Sequence, residues 1–412
     1  MTDGPQAATP ARHPLPRYLA AALFARTADE GARVSLVLLA LHTSGSAALG
    51  GALVAALLVP HVVAGPLVGT WLDRARRPRV VLTGALLVLA GSLLAVALLL
   101  GRAPLALVVP VLLVGGCAGP AVTGGLTGQL PTLVGPDRTA RAFGLDSLFY
   151  NVASIAGPAL AGLVGAAAGP VAGQGVLAGS AVLGALGVAT LPLRPAPRPA
   201  GVAQPGPGAG VRAILAEPTL RVVTLASTLG QIGPGGLAVV ATVLAATAHR
   251  PGAAGLLLSA VAAGSLVGSL LWTWRPIAPQ QPALVTTAAM LGVGLPLAVA
   301  AVVSPLPGVA ALFALSGLFV GPFASALFTA RDRYAPAAVR TSVFTIGAGL
   351  KVTASAAGAA LFGLATGLPV PAQLLLVAAS PLLAGALGTL LLVGRGDARG
   401  RSRLPSAVSP GR

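Results

Sequence analysis

Four charged residues stand close together in an apolar stretch near the start of the chain. They are Arg26, Asp29, Glu30 and Arg33, within the segment FARTADEGARVSL. A charged side chain near the centre of a membrane helix costs about 2.5–3.5 kcal/mol. Residues four apart are neighbours on a helix, so we expect the pairs Arg26–Glu30 and Asp29–Arg33 to reduce this cost. The cluster should therefore face another helix or a polar cavity rather than lipid.

A carboxylate inside an apolar segment could carry a proton. Asp29 or Glu30 is the candidate proton-binding residue, and Arg26 would modulate it through its charge. The alternative is a structural cluster that neutralises itself near the outer end of its helix.

Lys351 is the only lysine in the chain and lies about ten residues into another apolar segment. At ~1.5 Å per residue, that places it roughly 15 Å deep, near the middle of a membrane. It could bind an anionic group of a substrate or pair with an acid of the first segment. Alternatively, its long side chain reaches along the helix toward the interface.

Three further polar residues are candidates for lining a cavity: His61, Asn151 and Gln231. An imidazole can change its charge near neutral pH, which would suit a transport role. A hydrogen-bonded packing histidine is the alternative for His61.

Apolar segments occupy most of the 412 residues. The chain is 55% hydrophobic and only 8% charged, with a mean hydropathy of +0.89, which excludes a soluble domain of this size. Twelve segments are long enough to span a bilayer. They are 17–41, 46–71, 79–100, 104–131, 142–167, 170–192, 217–246, 253–273, 282–303, 307–330, 341–367 and 369–393. We therefore predict an all-α integral membrane protein with twelve transmembrane helices.

The composition also excludes several functions. The net charge of +17 is scattered between apolar segments without aromatic interleaving, so it does not indicate a nucleic-acid partner. One cysteine, Cys117, permits no internal disulfide and no cysteine-based metal site. No nucleotide-binding loop and no hydrolase or metalloprotease motif occurs. We expect no enzyme activity, no metal and no cofactor.

Arginines predict the topology. Twenty lie in the tails and in the turns that follow even-numbered segments, and two lie in the other turns. Because basic residues mark the cytoplasmic side, both termini should be cytoplasmic. The predicted parts are an N-terminal tail (1–16), a six-helix bundle (17–193), a Pro/Gly-rich linker (194–216), a second bundle (217–393) and a basic tail without regular structure (394–412).

The two halves resemble each other. The segments 141–162 and 342–363 align at an offset of 201 residues. The matched small residues are Gly157 with Gly358, Ala159 with Ala360, and Gly162 with Gly363. This alignment predicts two six-helix pseudo-repeats, and it pairs the first segment with the seventh.

Two motifs resemble those of the major facilitator superfamily. The residues Gly69, Asp73, Arg74, Arg77 and Arg79 match the pattern G-x-x-x-D-R-x-G-R-R/K between its second and third helices. Here Arg76 replaces the inner glycine of that pattern. Gly157, Pro158 and Gly162 resemble in part the G-P-x-x-G element of the fifth helix of its exporters, in which small residues pack helices closely.

The resemblance implies a major facilitator fold with a central substrate site between two halves. Gly69 would allow close helix approach, and Asp73 would lie at the positive end of a helix in the other half. The loop arginines would pair with carboxylates, forming a cytoplasmic latch. We expect Asp146 to join this latch by pairing with a loop arginine, the alternative being simple charge complementarity at a helix start.

Together these observations predict a secondary transporter in a bacterial cytoplasmic membrane. The expected activity is proton-coupled efflux of a small amphipathic or hydrophobic compound by a monomer, with protons, substrate and the lipid bilayer as its partners. Proton-coupled import of a metabolite is the alternative. A receptor or scaffold on a transporter-like fold is a third interpretation, and charges inside the first and eleventh segments argue against it.

Overall fold

Twelve membrane-length helices make up the fold. The computed structural model describes residues 14–195, 205–206, 208–250, 253–276 and 280–401. The helices are α1 (Pro14–Ser44), α2 (Ala47–Leu58 and Pro60–Arg74), α3 (Pro78–Leu99), α4 (Leu105–Gly116, the π-helical turn Ala121–Gly125 and Leu126–Val134), α5 (Pro136–Ala168), α6 (Pro170–Ala189), α7 (Pro218–Leu229 and Ile232–Thr247), α8 (Ala253–Trp274), α9 (Pro282–Ala300), α10 (Leu306–Leu318 and Val320–Tyr334), α11 (Arg340–Leu364) and α12 (Val370–Arg401).

Eleven of these helices are long and apolar enough to cross a membrane. The remaining one, α1, has 31 residues but contains the charged cluster, and it packs along α5 and α6 inside the bundle. Large apolar side chains such as Leu163, Leu183 and Leu390 are exposed, as expected of surfaces that contact lipid. The all-α, twelve-helix prediction is confirmed.

Several helices are interrupted about midway along their length. A proline at position 60 follows the break in α2, and Pro120 precedes the π-helical turn in α4. Proline cannot donate the backbone hydrogen bond that a helix needs, and its ring displaces the preceding turn. In α7 the break falls at Gly230 and Gln231.

Equivalent pairs of helices pack in the same way within each half. A Cβ added at Gly157 of α5 would lie 2.6 Å from the Gly31 amide nitrogen of α1. A Cβ at Gly358 of α11 would collide with the Ile232 carbonyl of α7. Gly358 lies 201 residues after Gly157, and Ile232 lies 201 residues after Gly31. The offset found in the sequence therefore also relates these two helix interfaces.

Gly162 does not pack against a neighbouring helix. A Cβ added there would meet no atom within 4 Å, and the same is true of Gly363. The packing role expected for Gly162 is therefore wrong, because this side of α5 faces away from the bundle. Pro158 is a half-buried residue within the continuous helix α5.

Among the described residues, the close contacts between the halves lie toward one end. This is the end where α1 begins and α12 ends, and we call it the arginine-rich end because the loop 75–77 and Arg138 lie there. Here α2 and α4 pack on α11, and α5 packs on α8 and α10. At the opposite end, the closely packed partners of Ala47–Leu58 and Ile232–Thr247 all belong to their own halves. A cavity between the halves thus opens away from the arginine-rich end.

The chain ends differ from the sequence-based expectation. Helix α12 continues to Arg401, so the expectation of an unstructured tail from 394 is wrong up to that residue, and 402–412 lie outside the described part. Of the N-terminal tail, 1–13 also lie outside it, and 14–16 begin α1. The linker contains a helix at Ala209–Ala216, whereas 196–204 and 207 are not described.

Replacing Gly157 by valine should destabilise the protein, because the new side chain would overlap the α1 backbone. Overpacking of this kind costs about 1–3 kcal/mol. The measurement is the thermal unfolding midpoint of the purified protein in detergent. The control is Gly162→Val, on the same helix, where the added atoms have open space and the midpoint should not change. Equal midpoints for the two variants would contradict the packing described above.

Candidate functional site

A cavity of about 450 Å³ lies between the two halves. Most of its wall is apolar, and three cations line it: Arg33, Arg331 and Lys351. The described lining contains no Asp or Glu. The uncharged polar lining consists of Thr123, Ser147, Tyr150, Asn151, Gln231 and Ser355. Of the three cations, Arg33 contacts carboxylates, and these lie behind the wall.

Arg26 and Asp146 form a buried ion pair between α1 and α5. Arg26 is 1% exposed and Asp146 is fully buried. The guanidinium makes two contacts with the carboxylate, Nη1 to Oδ1 at 2.8 Å and Nη2 to Oδ2 at 3.1 Å. Tyr18 donates to Oδ1 at 2.9 Å, and the hydroxyl of Thr127 lies 2.8 Å from Oδ2. A buried pair with this many partners is neutral and fixed in position.

Arg33 is shared by two carboxylates on its own helix. Its Nη1 lies 2.9 Å from Glu30 Oε2, and its Nη2 lies 3.3 Å from Asp29 Oδ2. Tyr150 of α5 donates a hydrogen bond of 3.2 Å to Glu30 Oε1, and the ring of the same tyrosine lies 4.9 Å from the Arg26 guanidinium carbon. Tyr150 therefore touches both clusters.

The two clusters do not balance in charge. Three carboxylates (Asp29, Glu30 and Asp146) face two guanidinium groups (Arg26 and Arg33). With all five groups ionised, the set carries one negative charge. Because Asp146 is fully paired with Arg26, the surplus belongs to Asp29 and Glu30. A single proton on either of them would bring the set to neutrality.

Two sequence-based expectations for these charges are wrong. Arg26 does not pair with Glu30, since Arg26 turns toward α5 while Glu30 contacts Arg33. Asp146 does not pair with an arginine of the 73–79 loop. Helix α5 begins at Pro136, so Asp146 lies about ten residues, roughly 15 Å, inside the helix and beyond reach of that loop. The expected Asp29–Arg33 pair is present.

The second half contributes two cations without a carboxylate. Lys351 lies on the cavity wall, and no acid of α1 is within 4 Å of it in the described residues. Arg331 was expected in the turn after α10. The helix continues to Tyr334, however, and Arg331 is 1% exposed within it, against the cavity.

The other candidates separate into two groups. Asn151 and Gln231 line the cavity, and Asn151 donates a hydrogen bond of 2.9 Å to Ser269 of the other half. His61 does not line the cavity, which makes its expected cavity role wrong. The imidazole is buried against Gly119 of α4, where a Cβ would collide with it. Packing is therefore its role, although neither ring nitrogen makes a hydrogen bond of good geometry.

Asp73 joins the halves at the arginine-rich end. Its carboxylate accepts hydrogen bonds from the Thr341 and Ser342 amides at 2.9 and 2.8 Å, and from the Ser342 hydroxyl at 2.6 Å. These groups form the first turn of α11, where the helix dipole favours a negative charge. One turn earlier on α2, Gly69 lies so close to α11 that a Cβ would collide with the Thr345 hydroxyl. Both positions agree with what the sequence motif implies.

The loop arginines do not form the expected ion pairs. Arg74 donates to the Pro205 carbonyl of the linker at 2.6 Å. Arg77 and Arg79 are exposed, and no described carboxylate lies within 4 Å of them. The turn at Pro78 starts α3 immediately and directs these side chains outward.

Aromatic rings close the floor of the cavity. Phe143 of α5, Phe328 of α10 and Phe344 of α11 form a cluster with centroid distances of 5.8 to 6.0 Å. Beneath it, Gln129 of α4 donates to Thr341 at 3.1 Å. The arginine-rich end is thus sealed by rings, by hydrogen bonds and by close backbone contacts.

Sequence reasoning missed several of these residues. Tyr18 and Thr127 bind Asp146, and no spacing rule relates positions on three different helices. Tyr150 could have been noticed, because it is the only tyrosine inside the fifth apolar segment. Arg331 was assigned to a turn because the predicted tenth span ended at 330.

Comparison with known proteins agrees with this geometry. The family model described as Major Facilitator Superfamily matches residues 18–359. The multidrug efflux pump Tap of Mycobacterium tuberculosis is 32% identical over 335 residues, which cover 76% of this chain and 77% of that protein.

A second relative is the uncharacterised MFS-type transporter y4rN of Sinorhizobium fredii, 30% identical over 265 residues. This match covers 63% of this chain and 62% of that protein, slightly less than two thirds of its length. The crystal structure of the human organic anion transporter MFSD10 superposes with a TM-score of 0.73 at 15% identity, over 92% of this chain and all of that one. The chain belongs to the major facilitator superfamily and is a transporter rather than an enzyme.

Proposed function

We propose that this transporter exports a small amphipathic compound in exchange for protons, across the cytoplasmic membrane of a bacterium. The observation that carries the proposal is the position of Asp29 and Glu30. Both contact Arg33, which lines the cavity, and together they hold one more negative charge than Arg33 balances. Proton binding and substrate binding would thus occur beside one cavity.

Protonation would change the contacts of Arg33 directly. Glu30 is 2.9 Å from one nitrogen of the guanidinium, and a neutral Glu30 would hold it less strongly. Arg33 is partly exposed to the cavity, so a weaker hold would let it turn toward a bound compound. The charge of the cavity wall would then depend on the proton, which is what coupling requires.

A relative and the character of the cavity support the proposed direction of transport, once the two sides of the membrane are assigned. Arginine counting assigns the arginine-rich end to the cytoplasm. The described state is then open to the outside and closed to the cytoplasm. The relative Tap is a multidrug efflux pump by name, and the cavity is largely apolar, as an amphipathic compound would need. These two observations favour export.

Asp73 would act as a cytoplasmic latch in this cycle. The three hydrogen bonds that it accepts lie between the halves, so they must break when the cytoplasmic side opens. Alternating access by rocking of two six-helix halves is the usual mechanism of this fold. A latch of this kind stabilises one end state and does not touch the substrate.

Neutralising both carboxylates, as Asp29→Asn with Glu30→Gln, should abolish proton-driven transport while the protein still inserts and folds. In this variant, no carboxylate beside Arg33 can bind or release a proton. The measurement is proton movement, reported by a pH-sensitive dye trapped in vesicles, when an amphipathic dye is added outside.

The control for this variant is Asp137→Asn, which removes an exposed carboxylate at the start of α5. It should move protons at the wild-type rate. Wild-type proton movement by the double variant would exclude Asp29 and Glu30 as the coupling groups.

Asp73→Asn should slow turnover by about tenfold and leave substrate affinity nearly unchanged, because hydrogen bonds to a charged group contribute about 1.5–3 kcal/mol. An amide offers one acceptor atom and no charge to the first turn of α11. Initial rates of dye efflux over a concentration series would separate the two parameters. Arg76→Gln, an exposed change in the same loop, should behave as wild type. A normal rate in the Asp73 variant would count against the latch.

A further inference from the structure

Two cations of the second half face the cavity without an acidic partner. Arg331 is 1% exposed, and its Nε and Nη2 make no hydrogen bond within the described residues. Lys351 takes part in none of the ion pairs there, and its ammonium lies 4.8 Å from the centroid of the Phe323 ring. By contrast, Arg26 and Arg33 in the first half both have carboxylates. A buried cation without a partner is costly unless a ligand or water compensates it.

The two cations converge on one place. The Arg331 guanidinium lies against Gly347 of α11, where any Cβ would collide with it. Gly347 and Lys351 are four residues apart, so they share one face of α11 and are separated by about 6 Å of helix rise. Helical side chains lean toward the helix N-terminus. Helix α10 ends at the arginine-rich end and α11 begins there. The Arg331 side chain therefore leans away from that end and the Lys351 side chain leans toward it, so the two lean toward each other.

The acids nearby do not compensate these two charges. Asp332 is next to Arg331 in sequence but pairs with Arg340 at 3.0 Å. The carboxylates Asp29 and Glu30 are engaged with Arg33 on the opposite half. With no acid on the described cavity wall, the region around Arg331 and Lys351 is positively charged.

An apolar surface adjoins the two cations. Phe323 and Phe328 of α10, Met290 of α9 and Val352 of α11 all line the same cavity. A ligand with one anionic group and an aromatic or aliphatic body would therefore find cations for its charge and an apolar surface for its body side by side. Guanidinium groups bind carboxylates in a two-pronged geometry, and an ammonium adds a compact point charge.

We propose that Arg331 and Lys351 bind the anionic group of the transported compound, which makes the substrate a small amphipathic organic anion such as an aromatic carboxylate or sulfonate. This inference rests on the proposed transport function, since it names the substrate class of the same cavity. Phe323 and Phe328 hold the apolar body, and the two cations fix its charged end near the cavity floor.

The test uses the purified full chain and three ligands of one shape: naphthoate, the neutral naphthamide and the cationic naphthylmethylammonium. Isothermal titration should show that naphthoate binds about tenfold to a hundredfold more tightly than naphthamide, since bonds to charged groups are that much stronger. The cationic ligand should bind most weakly. Equal affinity for all three ligands would overturn the proposal.

Variants then locate the site. Lys351→Gln and Arg331→Gln should each reduce naphthoate affinity by about tenfold and leave naphthamide affinity unchanged, which also shows that the variant is folded. The matched control is Arg333→Gln, an exposed arginine in the same turn of α10 that contacts the Gln280 carbonyl at 2.7 Å. Should Arg331→Gln fail to fold, Lys351→Gln decides alone, because its ammonium makes no bond that the fold needs. Wild-type naphthoate binding in Lys351→Gln would overturn the proposal.

Two further measurements separate related outcomes. If acetate or chloride binds as tightly as naphthoate, the site holds an inorganic or small anion only, and the proposal of an amphipathic substrate is overturned. If the protein binds naphthoate more tightly than the neutral and cationic ligands but a pH gradient moves no naphthoate across vesicles, the anion site is supported and proton-coupled export is contradicted. If the gradient drives naphthamide equally well, export stands and the anion site is overturned.

Discussion

An ionised group inside a bilayer needs an opposite charge, a hydrogen-bonding shell or water, and this requirement arranges the centre of the molecule. The structure meets it in three ways. Arg26 and Asp146 neutralise each other completely and are closed to the cavity. Arg33 is shared between Asp29 and Glu30, which leaves one charge unbalanced. Arg331 and Lys351 have no acid and lie on the cavity wall instead. The described ion pairs thus give Arg26 one carboxylate, Arg33 two, and Arg331 and Lys351 none.

The contacts that close one end depend on small side chains. A Cβ at Gly69 or Gly124 would collide with α11 or lie within 2.6 Å of it, so both positions let backbones meet directly. Without such approach, Asp73 could not reach the first turn of α11. Membrane helices gain little from apolar burial against each other, so close backbone contact and hydrogen bonds supply the attraction. These bonds are few and local, which suits a contact that would open in the proposed transport cycle.

The sequence predicted the parts of this structure that depend on local rules. Apolar length gave the helices, and the G-x-x-x-D-R pattern placed Asp73 correctly because the motif describes a single helix end and its partner. The predicted partner of Arg26 was wrong. Four-residue spacing favours Glu30 on the same helix and gives no information about residues of α5. Arg331 was missed for a related reason: an apolar profile ends a helix at the first run of charges, but here α10 continues through Arg331 to Tyr334. Long-range pairs among buried charges require the three-dimensional arrangement.

The equivalent contacts Gly157–Gly31 and Gly358–Ile232 show that both halves kept the same framework. Their chemistry has diverged on that framework. Acids accumulate on the first helix of one half, whereas Ser227, Gly230 and Gln231 occupy the matching places in the other half, which supplies uncompensated cations from α10 and α11 instead. Under the proposed mechanism, one copy would serve proton coupling and the other would serve substrate recognition. Substitutions in one copy could then change the substrate while the proton-coupling residues of the other copy stay intact.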